Sequence, residues 1–319
     1  MTNEKTKAVA AVVAHLEKQY GKGIIQQLGT PSEQQVAVIP TGSVGLDRAL
    51  GCGGWPRGRV VEIFGPQAGG KTTLALHAVA QCQALGGVAS FIDADHELDM
   101  AYARRVGVRV EDLLVSQPDT GDQSLDVCES LVRSGAIDLI VVDSVQSLVP
   151  RSELEGDETV EGIHARLMSQ ALRKLTAATS RSGTVIIFLN ARTPGEQMTG
   201  GNSLKFYSSV RVELGRVGNL KDGDAVVGSR VGLKVVKNKC APPFAVATFD
   251  LTYDRGVHRE AEVIDLGVDC GLIEKTGSHY VLAGERIGQG RERAIEWLRE
   301  RPAVTEELAQ KILATPVKP

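Results

Sequence analysis

The stretch from Val60 to Thr73, VVEIFGPQAGGKTT, constrains the fold more than any other. A β-branched and apolar run leads into a Gly-rich loop and then into a helix start. Residues 65–72 fit G-x-x-x-x-G-K-S/T, a phosphate-binding loop. Gly65 and Gly70 let the backbone curl so that its N–H groups approach phosphate oxygens. Lys71 supplies a cation for the β- and γ-phosphates, and Thr72 a hydroxyl for Mg²⁺. The helix from Thr73 points its positive end at the anion. A chance Gly-rich turn would not bring strand, loop and helix in this order.

With 319 residues, the chain can hold one large domain plus small appendages. Its net charge of −3 gives no global basic signal, so any nucleic-acid site must be local. Cys52, Cys82, Cys128, Cys240 and Cys270 are scattered without C-x-x-C spacing. They read as free thiols in a reducing cytosol rather than a disulfide framework or zinc site. No apolar run reads as a signal peptide or membrane span, so the expected location is cytoplasmic, with no membrane partner.

Residues 5–20 read as an amphipathic helix, with Val9, Val12, Val13, Leu16 and Tyr20 near helical spacing. Such a helix needs a surface to cover: its own core or a neighbouring subunit. Residues 24–39 look extended. Ser43 should cap a short helix from Val44 to Leu50, and Gly51 should stop it. Strands are expected at 60–64, 88–93, 138–143 and 184–190, with helices at 71–85, 98–106, 122–134 and 164–180. That alternation predicts an α/β fold with a parallel sheet covered on both faces and ligands beyond the carboxyl ends of its strands. From about 208, alternating residues predict antiparallel strands extending the sheet. Beyond His258, helices are expected at 260–267, 290–300 and 304–314. The expected domains are 1–32 (N-terminal helix and linker), 33–258 (core) and 259–319 (small C-terminal domain).

Leu139 to Asp143 is an apolar strand ending in a carboxylate. Paired with the phosphate loop, Asp143 would hold the Mg²⁺ shell with Thr72. Phosphoryl transfer to water also needs a group that orients the nucleophile. Asp93, Asp95 and Glu97 end the strand after the phosphate-loop helix and would share one face by strand alternation. Residue type alone does not rank them; each could equally be a loop cap.

A set of more specific words runs in order from about residue 8 to about 302. They include Pro40-Thr41-Gly42-Ser43, Gly65-Pro66 with Gly70-Lys71-Thr72-Thr73, Phe91-Ile92-Asp93-Ala94 and Val142-Asp143-Ser144. Further matches are Met168-Ser169-Gln170, Leu204-Lys205-Phe206-Tyr207, Val235-Val236-Lys237-Asn238-Lys239 and Gly288-Gln289-Gly290. In these words the chain resembles the bacterial RecA recombinase family, and the resemblance implies a RecA-type P-loop NTPase core with an antiparallel extension, an N-terminal helix and a small C-terminal α+β domain. It implies a DNA-dependent ATPase that forms helical filaments of itself on single-stranded DNA, pairs homologous duplex DNA and exchanges strands. It also implies stimulation of LexA-type repressor self-cleavage. The cofactors would be ATP and Mg²⁺.

Residue by residue, the resemblance assigns Gly65, Pro66, Gln67, Ala68, Gly69, Gly70, Lys71, Thr72, Thr73 and Asp143 to the nucleotide. Asp99 and Tyr102 match an adenine-binding pair, although Tyr102 also fits a plain helix-face aromatic. Asp95 matches the water-orienting carboxylate, and Lys237 and Lys239 match a basic pair that reaches a neighbour's γ-phosphate. Arg166, Ser169, Arg173, Arg192, Gly200, Gly201 and Asn202 match DNA contacts. Arg166 and Arg173 lie seven positions apart, on one helical face.

Departures from the family pattern are also legible. Asp95 stands where the family has Glu, so hydrolysis is expected to be slower. Ala191 stands where the family has a γ-phosphate-sensing Gln. The first DNA loop, about 150–163, is shorter and acidic, and the second, about 191–201, keeps only Arg192 as a cation. The chain ends at Pro319 without the acidic tail that tempers DNA binding in the family. These departures leave an alternative open: a paralogue that binds nucleotide and assembles but regulates rather than exchanges strands. A ring-forming helicase with the same core is disfavoured by Phe206 and Gly288-Gln289-Gly290.

Overall fold

The computed structural model describes residues 3–21, 24–25, 36–154, 156, 162–192 and 202–315. The chain divides into two compact units, residues 1–35 and 36–319. In the first, α1 (Asn3–Tyr20) is built from Ala, Lys, Glu and Val and ends at Gly21, whose φ of 99° leaves the helix. Val9, Val12 and Tyr20 are exposed on it. Most of the segment expected to be extended from 24 to 39 lies outside the described residues.

The second unit opens with β1 (Val38–Ile39), which pairs antiparallel with β2 (Trp55–Pro56). Between them lies α2 (Val44–Leu50). Ser43 Oγ accepts from Leu46 N, and Gly51 closes the helix in the left-handed region, both as expected. The main sheet contains β3 (Val60–Gly65), β4 (Ala89–Asp93), β5 (Leu114–Ser116), β6 (Leu139–Asp143), β7 (Val185–Ala191), β8 (Val210–Asp222), β9 (Ala225–Asn238), β10 (Val246–Thr252) and β11 (Gly256–Val257). Their spatial order is β11-β10-β9-β8-β3-β7-β6-β4-β5. β3 runs parallel to both β7 and β8, while β8 to β11 pair antiparallel. The chain therefore leaves β3 on one side and returns on the other, opening a crevice at the carboxyl end of β3.

Side chains alternate across this sheet and bury both faces. Val61, Ile63, Val141 and Ile187 pack with α3 (Lys71–Ala84) on one face; α4 (Met100–Val106) follows β4. Val60, Ile140, Val142 and Phe188 pack on the other against α5 (Gly121–Ser134) and, beyond the short α6 (Arg151–Leu154), α7 (Ile163–Ser182). The short α8 (Ser203–Tyr207) precedes β8.

The antiparallel strands are longer than the alternation predicts, because β8 and β9 form one hairpin that continues past the covered sheet. Edge strand β5 has no counterpart in the sequence reading; three residues are too few for a periodic signal. Past His258, α9 (Arg259–Asp269), α10 (Arg291–Arg299) and α11 (Pro302–Ala314) fall where expected, but β12 (Glu274–Thr276), β13 (His279–Leu282) and β14 (Glu285–Gln289) form a sheet between them. Ile264, Tyr280, Ile295 and Ile312 build its core, which Val44 of α2 joins. The buried Glu262 of α9 also reaches α2, accepting from Ser43 Oγ at 2.6 Å and Gly45 N at 3.2 Å.

Candidate functional site

β3 ends at Gly65, where a Cβ would stand 2.2 Å from the carbonyl oxygen of Leu214, so only glycine lets the loop leave past β8. Gly70 has φ 89°, and a Cβ there would meet Leu251 Cδ1 at 2.7 Å. No side chain caps the N-terminus of α3, which leaves its first-turn amides for an anion. Lys71 Nζ donates to the carbonyls of Pro66 at 2.8 Å and Gly65 at 3.3 Å. Burial lowers its pKa against the opposing pull of Asp143 and Asp95. Thr72 Oγ1 donates to Asp143 Oδ2 at 2.7 Å, joining the loop to the end of β6. Burial pushes the Asp143 carboxyl up to about 6, and the Asp95 and Asp93 carboxylates add to the rise.

A cleft of about 300 Å³ extends from this loop, lined by Gly70, Thr73, Tyr102, Val231, Leu251 and Tyr253 among others. Tyr102 is fixed there by a 3.0 Å hydrogen bond between its hydroxyl and Thr73 Oγ1, so it is more than a helix-face aromatic. Asp99 N-caps α4, accepting from Ala101 N at 2.8 Å and Tyr102 N at 3.0 Å; it thereby orients Tyr102. Sequence reasoning missed Tyr253 and Arg216. Both reach the cleft from the returning antiparallel strands, and no local spacing signals that.

The three candidate carboxylates separate. β4 ends at Asp93, so strand alternation does not carry on to Asp95 and Glu97, and the expectation of one shared face fails. Asp93 is buried and spends its carboxylate on Glu97 N, Leu98 N and Gln117 Nε2. It holds the bend in shape. Glu97 is exposed. Asp95 accepts from Ser144 N at 3.0 Å and Ser144 Oγ at 3.1 Å, directly beside Asp143.

Lys237 and Lys239 sit at the end of β9 and do not line the cleft of their own chain. Lys237 Nζ donates to the carbonyls of Lys205 at 2.6 Å and Phe206 at 3.0 Å at the end of α8. Arg166 and Arg173 are exposed on α7, with Ser169 half-buried between them; Met168, Leu172 and Leu175 anchor the opposite face. Arg192, expected to contact DNA, pairs with Glu213 at 2.6 Å. Asn202 precedes α8, while Gly200 and Gly201 lie outside the described residues.

Residues 7–258 match the RecA N-terminal domain, and residues 261–315 match the RecA C-terminal domain. The chain belongs to the RecA family. It is 64% identical to Protein RecA 1 of Myxococcus xanthus over 99% of this chain and 96% of that protein. Identity to Protein RecA of Acidiphilium cryptum is 53%, over 98% and 94%. Among solved structures, the RadB recombinase matches in fold with a TM-score of 0.54 and 22% identity, over 69% of this chain and 98% of that one.

This RecA-family site fits a magnesium-bound nucleotide. Lys71 sits on loop carbonyls in reach of the anion cradle, and the Thr72–Asp143 pair offers two hard oxygens beside it. No cluster of three His, Cys, Asp or Glu among the described residues could hold a metal alone. The five cysteines are free, and no described helix is long and apolar enough to cross a membrane.

Proposed function

We propose that this chain is an ATP-dependent recombinase that assembles on single-stranded DNA, pairs it with homologous duplex and exchanges strands. The observation that carries the reading is the Thr72–Asp143 contact beside Lys71, within a chain that matches both RecA domains along nearly its whole length. The amides of residues 69–73 cradle phosphate, Lys71 moves from the Pro66 carbonyl to the phosphates, and Tyr102 and Tyr253 flank the base. Thr72 and Asp143 would hold magnesium, which would supply charge neutralisation at the phosphates. Asp95, aimed by Ser144, orients the attacking water; its short side chain gives slow turnover.

Lys237 and Lys239, which do not line the cleft of their own chain, act in this reading on the nucleotide of a neighbouring copy. α1, with Val9, Val12 and Tyr20 exposed, docks on that copy as a filament contact. In this reading residues 1–32 dock, 33–258 catalyse, and 259–319 form the accessory domain. Arg166, Ser169, Arg173 and Asn202, with Gly200 and Gly201, contact DNA; Arg192 joins them on leaving Glu213. A LexA-type repressor is a further partner, and the compartment is the cytoplasm. Identities of 52–64% to proteins named RecA favour the recombinase over a regulatory paralogue. ATPase activity with and without single-stranded DNA tests the reading: stimulation supports it, and a DNA-indifferent turnover returns the paralogue.

A further inference from the structure

Buried polar atoms without partners are costly, and each calls for a reason. Four such side-chain atoms occur among the described residues; one belongs to Gln146, on the short turn Val145–Ser147, and another to His164, whose other ring nitrogen reaches that turn. This turn follows directly on Asp143 and Ser144, so its position is tied to the carboxylate that Thr72 holds. Its contacts run to both segments assigned to DNA. The carbonyl of Val145 meets His164 Nε2 at 3.0 Å, in the first turn of α7, which carries Arg166 and Arg173. The amide of Gln146 donates to Asn190 Oδ1 at 2.6 Å and to the Ala191 carbonyl at 2.9 Å, at the end of β7.

Beyond Ala191 the DNA-contact loop begins at Arg192, and its backbone is pinned on the nucleotide side as well. Arg192 N donates at 2.9 Å to the Gly65 carbonyl, which also receives Lys71 Nζ at 3.3 Å. The root of that segment therefore hangs from one group of the phosphate site, the Gly65 carbonyl, and from Gln146 on the turn that follows Asp143. Moving Lys71 onto phosphate removes a donor from Gly65, and loading the Thr72–Asp143 pair acts on the turn that holds Gln146. A hydrophobic residue at 146 would leave no orphaned amide oxygen, so packing alone does not account for glutamine there.

We propose that Gln146 is a positioning residue that relays occupancy of the phosphate site to the root of the loop starting at Arg192. It acts through Asn190 and the Ala191 carbonyl rather than by touching nucleotide or DNA. The relay rests on the reading of the chain as a nucleotide-dependent DNA binder. It deepens that reading by giving the sensing amide to position 146, across the strand end from Ala191. Asn190 passes the contact on: its Nδ2 donates at 2.9 Å to the buried Glu62, which is paired with Arg211.

The test measures the affinity of the full chain for a fluorescent oligothymidine by anisotropy, with and without adenosine 5′-O-(3-thiotriphosphate). The wild-type chain should bind DNA at least about tenfold more tightly with the analogue. Gln146→Met, close in volume but without the amide, should reduce that ratio to within about twofold while leaving affinity for the analogue itself unchanged. Returning an amide to the strand end, in Gln146→Ala with Ala191→Gln, should restore most of the ratio. An unchanged ratio in Gln146→Met overturns the relay. So does loss of analogue binding in that variant together with failure of the double variant to restore it, since the contact is then structural. A wild-type chain without any ratio overturns the underlying reading, and the relay with it.

Discussion

The hydroxyl of Thr72 donates to the carboxylate of Asp143 across 2.7 Å, bridging the phosphate loop and the end of β6. Burial and the neighbouring carboxylates hold the Asp143 pKa at about 6, above its ordinary 3.8. A raised acid pKa favours the protonated form in the folded state. In metal-free protein Asp143 therefore contributes stability that is fully present below pH 3.8 and is lost as pH rises through about 6. The shift corresponds to roughly 3 kcal/mol. Chemical unfolding of the metal-free chain and of Asp143→Asn should differ by this contribution, so the gap between them should change across that pH range, while Asp47 and Glu262, also raised to about 7, are common to both. Binding of magnesium nucleotide should follow the opposite course and weaken below pH 6, measured by titration calorimetry.

Lys71→Ala should reduce ATP turnover by roughly a hundredfold or more, since the cation facing the phosphates is lost. Its fold should survive, because the shorter of the two Lys71 contacts, to the Pro66 carbonyl, is exposed and only the 3.3 Å contact to Gly65 is partly buried. Undiminished ATPase in a pure variant would sink the assignment of the phosphate loop.

Asp95→Asn should keep nucleotide binding and lose most of the turnover, since an amide is a poor base. Its Oδ1 can still accept from Ser144 N, so the bend should remain in place. Asp95→Glu should lengthen the reach and raise turnover. A rate unchanged in Asp95→Asn would transfer the role elsewhere; Asp93 is already committed to the bend.

Deleting residues 1–22 should leave residues 36–319 folded, because they form a compact unit of their own. The truncated chain should remain monomeric in sedimentation with nucleotide and DNA, and its ATPase should fall with the loss of Lys237 and Lys239 from the neighbouring site. Filaments of normal length would refute the docking role of α1.

Arg173→Ala should weaken oligothymidine binding and reduce the log-log salt slope by about 0.7, the share of one phosphate contact on a single strand. Sequence preference should not change. Because Arg192 is paired with Glu213, Glu213→Gln should strengthen binding at low salt by freeing a cation. Both follow from salt titrations in the presence of nucleotide.

What the sequence determined by itself was everything carried by short-range order. Lys71 and Thr72 are fixed by the spacing of one loop, Asp143 by its place at the end of an apolar strand, and Ser43 and Gly51 by the chemistry of helix ends. The parallel sheet was legible because buried strands read as continuous Val and Ile runs. Residue type and strand spacing left Asp93, Asp95 and Glu97 unranked, and only the family resemblance singled out Asp95; what each carboxylate holds was decided by the tertiary structure, because that depends on which backbone amides come within hydrogen-bonding distance, among them Ser144, 49 positions away. The same holds for Tyr253 in the cleft, for Arg192 on Glu213, and for Gln146 on Ala191. These residues come from strands and turns far apart in the chain. A hydrogen bond depends on distance and angle, so their partners are set by strand order and register, which local spacing does not encode.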